Sequence, residues 1–112
     1  MICDAFEVVE VPYPFSDPAQ IRRRKALVIS SVESNAKNRC STLIVLTSMA
    51  VKEPWPRDVV IEEWSLAGLR KPCIARMKLF TVANNFLLER IGALCEDDRK
   101  RVAKAIRKTL GI

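Results

Sequence analysis

Arg22, Arg23, Arg24 and Lys25 stand side by side ahead of the apolar run Ala26 to Ile29. Like charges this close repel one another, so the folded or bound state has to offer a negative partner. The chain has no histidine, which removes the usual general base. Its cysteines, at 3, 40, 73 and 95, lie far apart without a CxxC pair, so neither a zinc site nor a Cys–His dyad is expected. Free thiols fit better, and no metal or cofactor is expected. Any catalysis has to run on arginine, lysine, carboxylates or hydroxyls.

A formal net charge of +6 makes a polyanion the leading partner class, because a basic domain attracts one over a Debye length and speeds encounter. At 112 residues the chain is the size of one domain, 1–112, able to close a core without disulfide or metal support. The opening, MICDAFEVVEV, has no basic segment followed by an apolar one, and no apolar run reaches bilayer-spanning length, so a cytoplasmic protein is expected.

Several elements must hold these cations. FEVVEV (6 to 11), KALVISS (25 to 31), STLIVLTS (41 to 48), DVVI (58 to 61) and CIARMKLFTV (73 to 82) are short and rich in Val, Ile and Thr, and read as strands. PYPFSDP, ESNAKNR and MAVKEPWPR read as connections. EEWSLAGL (62 to 69) offers one or two helical turns, and FLLERIGAL fits either a short helix or an edge strand. The last segment, EDDRKRVAKAIRKTLGI, reads as a helix with an apolar stripe of Val102, Ile106 and Leu110, acids in its first turn and a capping Gly111. Its cations read first as a solvated face. The pattern predicts a mainly β fold, a small bent antiparallel sheet or partial barrel with a closing C-terminal helix.

VEVPYPFSD, RRRKALVISS, LIVLTS, WSLAGLRKPCIAR, KLFTV and IGALCEDDRKRVAKAIRKTLG, in this order across nearly the whole chain, resemble the MazF/PemK family of toxin endoribonucleases. The resemblance implies an SH3-like barrel and a homodimer whose groove takes single-stranded RNA. It also implies a cognate antitoxin occupying that groove, and metal-independent, sequence-specific mRNA cleavage through the ribose 2′-hydroxyl.

Carried over by motif, the family's catalytic arginine falls on Arg24 in RKALVIS and its catalytic hydroxyl on Thr47 in VLTS, with Ser48 as the neighbouring alternative. The chemistry agrees. RNA cleavage builds negative charge on a phosphorus whose oxygens a guanidinium meets with two parallel donors. With a pKa above about 12, Arg24 suits charge stabilisation better than proton abstraction. Thr47 would position the phosphate or relay a proton. Arg22, Arg23 and Lys25 are candidates for RNA phosphate contact. Tyr13 and Trp55 are candidates for stacking on unpaired bases, whereas Phe15 and Trp64 read as packing residues. Asp17 is a candidate at the RNA site and, with Glu7, for the unassigned proton acceptor.

The chain departs from the family pattern in four places. Phe6-Glu7 stands where Gly-Asp usually begins the first strand, Lys25 replaces a proline, the first loop, SDPAQIRR, carries no glycine where relatives often have one, and Lys78 lies where some members carry an acid. Two other classes stay open: a CcdB-like toxin that poisons gyrase without cleaving anything, and a non-enzymatic nucleic-acid-binding module.

Overall fold

A computed structural model of the chain describes residues 1–13, 22–50 and 53–112. Phe15 and Asp17 lie outside them, as does the side chain of Tyr13. The elements are β1 (Glu7–Tyr13), β2 (Arg22–Val28), α1 (Val32–Asn38), β3 (Cys40–Ser48), β4 (Val59–Val60), β5 (Cys73–Ala83), β6 (Glu89–Ala93) and α2 (Glu96–Leu110). The strands form one six-stranded sheet in the order β4-β5-β3-β2-β1-β6, antiparallel throughout, curled into a half-barrel.

Strand alternation sorts the side chains onto two faces. Val8, Leu27, Ile44, Leu46, Ala75 and Met77 face the interior, where Val102 and Ala105 of α2 close over them and Trp64 packs alongside. Val9, Val11, Ala26, Val28, Leu43 and Val82 face the other way and form a second, smaller core with Cys3 and Leu87. Within α2, Val102 is fully buried, but Leu110, the end of the expected stripe, is half exposed.

Two irregularities bend the sheet. Between β3 and β5, Ile44 pairs with Leu79 but Val45 with Arg76, so Met77 and Lys78 form a bulge. At the other edge, the segment after β4 reaches across to β6: a Cβ on Gly92 would lie 2.3 Å from the carbonyl oxygen of Ala67. That approach ties the ends of the sheet together and requires glycine.

The connection ESNAKNR, expected to be irregular, is mostly helix α1. Ser31 caps it by accepting from the Ser34 N–H at 3.2 Å, and Asp4 Oδ1 accepts from Val32 N at 3.0 Å. Buried Asn35 anchors it, donating to the Cys3 and Ser30 carbonyls at 2.9 and 3.1 Å. Residues 62–69 form consecutive hydrogen-bonded turns, with one i to i−4 bond from Ala67 N to the Glu63 carbonyl, ended by Gly68 at φ 84°. FLLERIGAL resolves into a 3₁₀ turn at Asn84–Phe86 followed by strand β6.

Candidate functional site

β2 begins at Arg22, three residues before the expected strand, so the cations belong to the sheet and pair with β1: Arg22 with Tyr13, Arg23 with Pro12, Arg24 with Val11 and Lys25 with Glu10. Alternation then splits the run. Arg24 shares the face of Val11 and Ala26, whereas Lys25 shares the interior-side face with Leu27.

Part of the negative partner is internal. Glu10 Oε1 lies 3.5 Å from Lys25 Nζ and Glu10 Oε2 lies 3.7 Å from Arg23 Nη1. The same pair of cations also offsets the placement of Glu10 directly opposite Glu89 on β6. Arg22 and Arg24 are exposed and have no ion pair among the described residues.

Thr47 lies two residues beyond the last β2–β3 pair, Ala26 with Val45, just as Arg24 does on β2. Both therefore stand on one sheet face, on adjacent strands, past the end of the same ladder. Val11 pairs with Arg24 on one side, and Thr47 pairs with Ile74, which pairs in turn with Val60, on the other, so two stretches of one row meet where the β2–β3 ladder has ended. Among the described residues the smaller core ends at this row. Ser48 alternates to the other side, and its Oγ accepts from the Ala50 N–H at 3.3 Å.

One row away, on the same face, sits a cluster of which sequence reasoning singled out Trp55 alone, as a base-stacking candidate. Arg76 meets Asp58 with two donors, Nε to Oδ1 at 3.3 Å and Nη2 to Oδ2 at 3.0 Å. Its guanidinium also lies over the Trp55 ring, 5.2 Å from the centroid. Asp58 Oδ2 accepts from the Trp55 N–H at 2.9 Å and Asp58 N donates to the Trp55 carbonyl at 3.2 Å, which closes a turn. A carboxylate thus reaches this face from the PWPRD turn instead of from the strand position held by Lys78. The Pro-x-Asp spacing was the available signal, because it marks a turn whose acid can return to its own backbone.

Glu7 is not near Arg24. It lies four residues from Val11 along β1, about 13 Å at strand rise, and its carboxylate is held by Arg90 Nε at 2.6 Å and the Asp4 N–H at 2.7 Å. Phe6 adopts φ 68°, the left-handed region where the family's glycine would be unstrained. Its ring compensates by packing against the interior core under the Arg99 guanidinium, 4.8 Å from the centroid. On the interior side, burial pushes the Cys73 thiol above its ordinary value, opposed by the charges of Lys71 and Lys25.

The profile of the PemK-like, MazF-like toxins of type II toxin–antitoxin systems matches residues 4–110. The chain belongs to this family. Its fold is that of solved MazF structures. A MazE–MazF structure from Deinococcus radiodurans superposes with a TM-score of 0.79 at 20% identity, covering 100% of this chain and 99% of that one. An endoribonuclease in complex with its cognate antitoxin, from a mycobacterial species, superposes at 0.76 with 13% identity, covering 99% and 95%. A Mycobacterium tuberculosis MazF toxin gives 0.71 at 15% identity, covering 93% and 96%. Among curated proteins no sequence matches the chain. For this PemK/MazF-family toxin, no helix among the described residues is long and apolar enough to cross a membrane.

Proposed function

We propose that this PemK/MazF-family chain is a sequence-specific endoribonuclease that cleaves single-stranded mRNA without metal and is silenced by a cognate antitoxin. In the reaction the ribose 2′-oxygen bonds to the adjacent phosphorus, the bond from phosphorus to the 5′-oxygen breaks, and a 2′,3′-cyclic phosphate and a 5′-hydroxyl result. Arg24 stabilises the charge that builds on the phosphoryl oxygens, and Thr47 holds the phosphate or relays the proton. Arg22 supplies a phosphate contact, and Tyr13 a stacking surface for a base. The observation that supports this reading is the shared placement of Arg24 and Thr47, on one sheet face, on adjacent strands, each two residues past the same pair.

Charge completes the picture. With Arg23 and Lys25 held by Glu10, the cations left for an external anion among residues 22–25 are Arg22 and Arg24. Acidic antitoxin side chains would satisfy them when the toxin is inactive.

The test is to incubate purified protein, freed of antitoxin, with a long mRNA in excess chelator and to map the ends. Cleavage is expected to persist in chelator and to stop at any bond whose 5′-side ribose is 2′-deoxy. Cleavage of the deoxy-substituted bond, or of no RNA by a well-folded protein, would overturn the mechanism and leave the gyrase-poison or binding-module reading.

A further inference from the structure

A groove of about 190 Å³ runs between the β4 edge and α2, lined by Arg57, Asp58, Val59, Arg101, Lys104, Ala105 and Lys108. Its one carboxylate, Asp58, is occupied by Arg76. Arg101 is held by Asp98, Glu62 and the Val60 carbonyl. Arg57, Lys104 and Lys108 are exposed and have no ion pair among the described residues. Helix spacing puts Lys104 and Lys108 on one side of α2, about 6 Å apart along its axis.

The C-terminal dipole of α2 accounts for Lys108. It accounts neither for Lys104, a turn earlier, nor for Arg57, which comes from another element. Arg57 stands at the third position of the Trp55–Asp58 turn, after Pro56, with φ 63°. That position favours glycine in a turn with proline second. The groove floor is Val59 and Ala105, which offers only small apolar contacts. Repeated negative charge without bulky anchors suits a phosphodiester backbone better than an acidic peptide. The same turn also carries Asp58 and Trp55, the partners of Arg76 on the Arg24 face.

We infer that the Arg57–Lys104–Lys108 groove is a second RNA-binding subsite, which holds phosphates of the transcript flanking the cleaved bond. This rests on the ribonuclease reading for its substrate, but its own test does not require cleavage. The contacts there are sequence-independent and serve long substrates only.

The variant Arg57→Gln/Lys104→Gln/Lys108→Gln removes three exposed charges and no core contact, so its circular dichroism should match the parent protein. Its affinity for a long single-stranded RNA, measured by fluorescence anisotropy across a salt series, should show a slope flatter by about 2, roughly 0.7 for each lost contact. KM for a long transcript should rise about tenfold with kcat unchanged, while an oligonucleotide with only two nucleotides on each side of the cut is processed as before. An unchanged salt slope would overturn the inference. So would a variant that binds RNA normally but loses affinity for polyglutamate, because the groove would then serve an acidic protein. A parent protein that cleaves no RNA, yet whose RNA affinity shows the flattened slope in the variant, would sink the ribonuclease reading and leave the groove standing.

Discussion

At the residue scale, the division of the cation run decides which charge does what. Arg24 sits in an exposed strand position at the edge of the smaller core, so Arg24→Ala should leave the fold intact. Cleavage should drop by at least ~100-fold, the usual loss for one preorganised donor. Arg24→Lys should recover little, because an ammonium lacks the planar fork. Thr47→Ala should lose activity that Thr47→Ser partly keeps. Arg22 and Arg23 should differ in a way their adjacency hides. Arg22→Ala should flatten the salt dependence of RNA affinity by roughly 0.7, whereas Arg23→Ala, already compensated by Glu10 on the other face, should change it much less. Equal slopes for the two variants, read by anisotropy, would count against the division. The cluster of charge was legible in the sequence, as was the Arg24 and Thr47 pairing through resemblance. The internal partner Glu10 was not, because a one-residue slip of β1 against β2 would place another side chain opposite Lys25 and no local pattern fixes that register.

At the scale of elements, the joint between α2 and the segment after β4 rests on one carboxylate. Asp98 is fully buried, accepts from the Glu62 and Glu63 N–H groups at 3.1 and 2.9 Å and from Cys95 Sγ, and meets Arg101. These bonds cap the first free N–H groups of 62–69, a segment with a single i to i−4 bond, Ala67 N to the Glu63 carbonyl, that ends at Gly68. Asp98→Ala should strand two backbone donors and cost about 3 kcal/mol, on the order of 10 °C in Tm. Asp98→Asn, which keeps an acceptor, should cost about half as much. Scanning calorimetry of the two variants checks the order. The sequence reading named β1 to β5 from their Val, Ile and Thr content and α2 from its periodicity, left β6 open between helix and edge strand, and missed α1, whose seven residues show no apolar stripe. That helix is anchored by Asn35 and its capping bonds, which leave no hydrophobic pattern to read.

At the scale of the whole molecule, curling the sheet brings the segment after β4 against β6, and Gly92 is where that approach is tightest. A methyl there would meet the Ala67 carbonyl, a backbone atom that cannot swing aside, so Gly92→Ala should lower the denaturation midpoint by the equivalent of about 1–3 kcal/mol. The m-value should stay unchanged. Among the described residues the same curl leaves one face half covered. Beyond the smaller core, the Arg24 face ends at Val60, 41% exposed, on a two-residue edge strand, and Met49, just past the end of β3, is 44% exposed. A second copy packed about a two-fold axis would cover this apolar rim and set two Arg24 rows into a common groove, which a single chain does not build. Such an interface should bury upwards of about 1,200 Å² in total. Light scattering at micromolar concentration should therefore give twice the 12.7 kDa of the chain. Val60→Lys should push the population toward monomer and reduce RNA cleavage together with it, because each groove would lose its second wall. A fully active monomer would show that one chain's Arg24 face is sufficient for the reaction.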